Sequence, residues 1–205
     1  MRQFKRVIQI GLGVALVAST LSACAPLVVA GAAGSVMVAA DRRTAGTQLE
    51  DEAIELRAKA AIRDQLGTRV RIDVTAYNRR VLLTGEVGNA ADKQEAERIV
   101  QTVQNVGPVV NDLLVNANTP SLRERSADLV ITGRVKAAFI DKKVPITAVK
   151  VTTERSVVYL MGRVTAKELA QATEAASSVP GVQRVVRLFD TISQQELDRL
   201  QAAGK

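Results

Sequence analysis

Histidine and tryptophan are missing from the 205 residues, cysteine occurs once, and the aromatics amount to three Phe and two Tyr. Each shortage excludes something. Without histidine there is no Ser-His-Asp triad, no imidazole acid or base, and no histidine metal ligand. A single cysteine closes no intramolecular disulfide and builds no metal cluster. So few aromatics leave little on which the bases of single-stranded nucleic acid could stack. Carboxylates, lysines and hydroxyls remain, so an enzyme is disfavoured, and neither cofactor nor metal is expected.

The lone cysteine has a context of its own. Arg2, Lys5 and Arg6 precede an apolar run from Val7 to Leu21, the charged start and hydrophobic stretch of a secretory signal. The run ends in Leu21-Ser22-Ala23-Cys24, which resembles the bacterial lipobox. That resemblance implies a signal peptide over residues 1–23, removed before Cys24, and a Cys24 acylated on its thiol and on its new amine. Ala25, in place of Asp, resembles the sorting pattern for the outer membrane. An uncleaved anchor, or an ordinary signal with a chance cysteine, is the alternative. Residues 25–40 are apolar but rich in Ala and Gly, short for a bilayer span and weak as a helix. They read as part of a tether over residues 24–49, with polar residues 41–48 as its linker end.

The rest of the chain repeats itself. Gly85-Glu86-Val87 and Gly162-Arg163-Val164 stand 77 residues apart. The same offset carries Ile72, Val74, Val81 and Leu83 onto Val149, Val151, Val158 and Leu160. It carries Ile54, Ala58, Ala61 and Ile62 onto Ile131, Val135, Ala138 and Phe139, one helix face in both copies. After the glycines one residue of slippage lets Val103, Val106 and Val109 match Val179, Val182 and Val185. Each copy then reads as a helix (51–66; 127–141), an alternating strand, a tight turn at Asn78-Arg79 or 154–156, and a second strand. A second helix (90–104; 166–179) and a last strand (109–115; 182–190) complete it. The expected fold class is α+β: two tandem αββαβ domains over residues 50–118 and 121–193, each a small three-stranded sheet with two helices on one face. Residues 118–121 are the linker, and 194–205 a short polar helix or tail.

These residues resemble a pair of BON domains. The recurring features are Val81-Leu82-Leu83-Thr84-Gly85-Glu86-Val87 and Val157-Val158-Tyr159-Leu160-Met161-Gly162-Arg163-Val164, each followed by a helix and a strand start such as Gly181-Val182-Gln183-Arg184-Val185. The first copy departs at Asn105, where the glycine would stand. Gly46-Thr47-Gln48, Val74-Thr75-Ala76-Tyr77 and Val149-Lys150-Val151-Thr152-Thr153-Glu154 are further matches to family members that join a lipobox to two BON domains. The resemblance implies a non-enzymatic, periplasm-facing lipoprotein anchored in the outer membrane. It implies binding of anionic phospholipid through the second domain, support of envelope integrity at division sites, and partners among the barrel-assembly and septal wall-remodelling machineries. The alternative is a protein-binding adaptor of those machineries without specific lipid recognition.

Charge and pattern place the lipid site independently. Residues 50–118 carry 9 basic against 11 acidic residues, net −2, whereas 121–193 carry 12 against 7, net +5. Anionic headgroups attract basic surfaces at about 1 kcal/mol per Lys or Arg. On the helix opening the second copy, Val130, Gly133, Ala137 and Ile140 lie opposite the core face, with Arg134, Lys136, Lys142 and Lys143 around them. In the first copy Arg63 stands where Ile140 stands. The candidate lipid-binding residues are therefore Val130, Gly133, Arg134, Ala137, Ile140, Lys142 and Lys143. Gly85 and Gly162 are candidate structural glycines, Cys24 the lipidation site. A carboxylate pair such as Asp73 and Glu86 could be imagined for catalysis, but these alternate with core residues and read as solvated strand positions. A secretion signal and a near-neutral first copy argue against nucleic acid as a partner.

Overall fold

Helix α1 starts earlier than its apolar stripe. The computed structural model describes residues 41–116 and 122–203, and α1 spans Ala45–Leu66. The Thr44 hydroxyl accepts from the Thr47 amide at 3.1 Å, which starts the helix among polar residues where no hydrophobic period announces it. Ile54, Ala58 and Ile62, at i, i+4 and i+8, form its buried face. A 3₁₀ turn, Gly67–Arg69, leads into β1 (Val70–Tyr77), which pairs antiparallel with β2 (Arg80–Val87). Asn89 caps α2 (Ala90–Gln101), and β3 (Val109–Asn111) and β4 (Leu114–Val115) then run parallel to β2.

The second copy repeats the order with α3 (Leu122–Asp141), β5 (Val149–Glu154), β6 (Val157–Val164), α4 (Ala166–Ser177) and β7 (Arg184–Thr191), β6 lying centrally. Helix α5 (Gln194–Ala203) follows. The fold is the α+β arrangement of two αββαβ units. One expected strand is broken: 109–115 is split at Asp112-Leu113. Leu113 turns into the core, and Asn111 holds the break by donating to the Lys93 carbonyl and accepting from the Leu113 amide. Asn105 and Gly181 both take positive φ, +66° and +99°, so the asparagine fills the left-handed position where the repeat changes letter.

Both hairpin turns place two non-glycine residues at positive φ: Asn78 and Arg79 in one copy, Arg155 and Ser156 in the other. A buried carboxylate on the first helix compensates that strain in each. Asp51 accepts from the Asn78 and Arg79 amides at 2.7 Å, and Asp128, 77 residues on, accepts from the Arg155 and Ser156 amides at 2.8 Å.

Each sheet packs its helices on one face and the other sheet on its second face. Val81 and Leu83 point to the helices of the first copy, and the intervening Leu82 points the other way. Leu82, Tyr77, Tyr159 and Met161 form a third apolar cluster, with Val110, Val157, Val186 and Leu188 against it. The four buried members contribute about 2 kcal/mol each. The result is four layers, sheets back to back and helices outside, with both cores and the junction complete within the described residues.

Ion pairs surround that junction. Glu86 is 4 % exposed and accepts from Arg71 Nε at 2.6 Å and from Arg155 Nε of the other copy at 2.5 Å. Reading it as a solvated strand position is therefore wrong, while Asp73 is exposed. Arg71 also pairs with Glu154 across the junction. Burial would lower the Arg71 guanidinium, but Glu86 and Glu154 hold it above its ordinary value. Lys150 reaches back to Glu55 at 2.8 Å, and Asp190 accepts from Arg80 and Asn78. Residues 41–44, polar enough to pass for linker, are fastened to both copies. Arg42 pairs with Glu168 at 2.6 Å and donates to the Arg163 carbonyl, while Arg43 pairs with Asp51 and lies 4.2 Å over the Tyr77 ring.

Candidate lipid-contacting face

Helix α3 divides cleanly by spacing. Ile131, Val135 and Phe139 are buried against β5, β6 and α4. On the opposite side Leu129 is 75 %, Val130 51 % and Ile140 62 % exposed, with exposed Gly133 and Ala137 between them. Leu129 extends the strip beyond the residues that the sequence singled out. Helical spacing could have found it, since Leu129, Gly133, Ala137 and Ile140 share one face and the expected helix over 127–141 already contains Leu129; the true helix starts earlier, at Leu122. Ile146, 46 % exposed, adds an apolar group just past the helix end. Its signal was a lone isoleucine after Pro145, which periodicity cannot interpret.

Cations flank the strip. Arg134, Lys136, Lys142 and Lys143 are all exposed, and none has an ion-pair partner among the described residues. Lys143 takes φ +55° at the helix end, where its amide bonds the Ile140 carbonyl and the Val144 amide bonds the Phe139 carbonyl. That pair of hydrogen bonds is a Schellman cap with lysine in the usual glycine place, at a cost of about 1 kcal/mol. Val144, buried, anchors the cap. The structure thus brings Val130, Gly133, Arg134, Ala137, Ile140, Lys142 and Lys143 onto one outward surface, remote from the junction between the sheets.

The matching face of α1 differs. Glu52, Ala53 and Arg63 stand where Leu129, Val130 and Ile140 stand, and its exposed Leu49 and Leu56 are separated by Glu52. Such a face is already balanced in charge and has no continuous apolar strip. No helix of the described residues is long and apolar enough to cross a membrane, and none of their His, Cys, Asp or Glu groups could hold a metal ion.

Gly85 and Gly162 lie in β2 and β6, opposite the neighbouring strand. A Cβ on Gly85 would stand 2.1 Å from the Arg71 carbonyl oxygen, and one on Gly162 would stand 2.3 Å from that of Ala148. Arg71 and Ala148 are themselves 77 residues apart, so both glycines serve the same close approach. Cys24 lies outside the described residues.

The BON domain model matches residues 50–117 and 127–192. The chain is 36 % identical over 172 residues to outer membrane lipoprotein DolP of Haemophilus influenzae, covering 82 % of this chain and 89 % of that protein. It is 30 % identical to a 21 kDa hemolysin of Actinobacillus pleuropneumoniae, covering 74 % and 79 % respectively. It is 32 % identical to osmotically-inducible protein Y of Escherichia coli, covering 68 % and 72 %.

Proposed function

The chain belongs to the BON domain family and is an outer-membrane lipoprotein, and on that footing we propose that it binds anionic phospholipid through α3 of its second domain. One observation carries the proposal: an exposed apolar strip of Leu129, Val130, Ala137 and Ile140, ringed by four cations without ion-pair partners among the described residues. A surface helix of that composition lies in the headgroup region with its apolar face towards the acyl chains. Anchoring through Cys24 on the periplasmic side would hold the domain at the bilayer surface, so the second contact becomes an intramolecular one at high effective concentration. No catalytic step belongs to this reading. Glu86, Asp51 and Asp128, the carboxylates buried deepest, hold arginines and turn amides in place. Support of envelope integrity at division sites, together with barrel-assembly or wall-remodelling partners, is the cellular side of the same reading and rests on the family resemblance.

Residues 25–205, which omit Cys24 and keep both cores, test it by co-sedimentation with vesicles. Binding is expected with phosphatidylglycerol vesicles and not with phosphatidylcholine ones. It should weaken with salt, since exposed charges are screened over about 8 Å at physiological ionic strength. Ile140→Glu places a carboxylate at the centre of the strip and should reduce binding at least tenfold, more than Arg134→Ala, with unfolding unchanged because the side chain is solvent-exposed. Equal binding by the Ile140→Glu and unaltered chains would instead favour the adaptor reading, in which α3 makes no lipid contact.

A further inference from the structure

The other end of α1 carries a feature with no place in that proposal. A cavity of about 630 Å³ opens where the end of α1, the 3₁₀ turn, the start of β1 and the end of β2 meet. Its lining includes four cations, Lys59, Arg63, Arg69 and Arg71, against one carboxylate, Glu86. That carboxylate is spent on Arg71 and Arg155. Arg71 in turn is occupied by Glu86 and Glu154, so it contributes a fixed wall and not a free charge. Arg69 keeps a single exposed contact to Asp92 at 3.1 Å. Among the described residues Lys59 has only Glu55 at 3.9 Å, and that carboxylate already bonds Lys150 and the Ala76 amide. Arg63 has no partner among the described residues. Excess positive charge therefore converges on the cavity from Lys59 and Arg63, one helical turn apart, and from Arg69 on the adjoining turn. The floor is apolar, formed by Ile62, Val70 and Val87.

We infer that this cavity binds a phosphate-bearing anion with a small organic group attached. Guanidinium forks and an ammonium match phosphate oxygens, Arg by paired donors and Lys as a point charge. The Thr68 hydroxyl on the same wall supplies a neutral donor, and the apolar floor takes the organic part. The repeat shows that the arginines are particular to the first copy, whereas Lys59 has a cationic counterpart in Lys136. Residues 77 positions after Arg63 and Arg69 are Ile140 and Ile146, both exposed on the lipid-contacting side of the second copy. The same corner of the fold therefore carries two isoleucines in one copy where the other carries two arginines, with a lysine common to both.

Nuclear magnetic resonance titration of residues 25–205 with glycerol 1-phosphate tests the site, and phosphatidylglycerol vesicles separate the two sources of such a group. Saturable shifts are expected at the Thr68, Arg69 and Gly88 amides. Paired substitution Lys59→Ala with Arg63→Ala, both on the exposed side of α1, should weaken them at least tenfold. Arg98→Ala removes an exposed cation elsewhere in the same copy and should leave them unchanged. If glycerol 1-phosphate saturates the site and the paired variant still binds vesicles normally, the ligand is a soluble phosphoester. If the paired variant also loses vesicle binding beyond the effect of Arg98→Ala, the ligand is a headgroup. Ile140→Glu should leave the glycerol 1-phosphate response intact, which separates this site from the α3 face. No saturable response to either probe, or the same response in the paired variant as in Arg98→Ala, overturns the inference.

Discussion

The two copies share a backbone and differ in what they turn outward. Their helix cores, the glycine at the close strand crossing and the aspartate beneath the hairpin turn recur at an offset of 77 residues. Where the helices face solvent, the first copy is interleaved with acids and bases, and the second is an apolar strip among cations unpaired within the described residues. Duplication thus retained what the chain needs in order to fold, and the copies diverged where packing imposes no demand. One position at the junction departs from this pattern. Glu86 and Arg163 correspond, yet Glu86 is a buried acceptor for two arginines at the junction, whereas Arg163 bonds the Arg42 carbonyl and Glu196 of α5.

The shared positions should break both copies, and Gly85 should break the more severely. A Cβ at either glycine meets a backbone oxygen that no rotamer can avoid, but Gly85 alone also has φ at +116°. Left-handed or more extreme backbone adds about 1–3 kcal/mol for a residue with a side chain. Gly85→Ala is expected to cost on the order of 4 kcal/mol or more, and Gly162→Ala about 1 kcal/mol less. Urea unfolding gives the totals. Hydrogen exchange of the β1–β2 and β5–β6 amides shows whether each loss stays in its own copy; equal costs would mean that the φ at Gly85 relaxes freely.

A smaller effect should come from the turn aspartates. Each accepts two backbone amides; a hydrogen bond to a charged group contributes about 1.5–3 kcal/mol net, and less where water can take the place of the lost acceptor, as at these surface turns. Asp128→Ala is expected to cost about 2 kcal/mol. Asp51→Ala should cost roughly 1 kcal/mol more, since Asp51 also pairs with Arg43 at 2.8 Å and thereby holds residues 41–44. Removing Arg43 first should abolish that difference, so a double-substitution cycle measures it directly.

Most of the architecture was legible in the sequence because it rests on period. Alternation marked β1 and β5, and the i, i+4, i+8 stripe of Ile54, Ala58 and Ile62 marked a helix against a sheet. The junction between the sheets left a signal that can be understood afterwards. Val81-Leu82-Leu83 and Val157-Val158-Tyr159-Leu160-Met161 are continuous apolar runs, the pattern of strands buried on both faces. Glu86 gave no such signal, because a lone charge in a strand looks solvated until Arg155, 69 residues away, is seen to reach it. Residues 41–44 were misread for the same reason, as polarity says nothing of a partner distant in the chain. On α3, side-chain character found the face, and Leu129, one turn before Gly133 and inside the expected helix, was equally legible from spacing. The cavity beside Arg63 was invisible, since its cations come from a helix, a turn and a strand that only the fold brings together.

The smallest expected effect compares the junction with the fastening of residues 41–44, through pH. Burial raises Glu154 above the ordinary glutamate value of 4.5, and Arg71 offsets this only in part. Burial also pushes Glu168 upward, but the Arg42 guanidinium and the Thr165 amide outweigh it, and this carboxyl titrates below 4.5. The two groups therefore act in adjacent windows with opposite sign. Above 4.5 and up to the raised value of Glu154, the folded chain binds a proton that the unfolded chain lacks, so stability increases as pH falls. Below 4.5 and down to the lowered value of Glu168, the unfolded chain binds the extra proton, and stability decreases as pH falls. Each contribution should remain below about 1 kcal/mol, given partial exposure to solvent. Unfolding free energies measured from pH 7 to pH 3 should pass through a shallow maximum near 4.5. Glu154→Gln should flatten the upper limb and leave the lower one. Glu168→Gln should make the lower limb less steep without abolishing it, because Asp41, beside Arg43, is also held below its ordinary value. A limb unchanged by its own substitution would assign the pH response to other carboxylates and remove the contrast between junction and fastening.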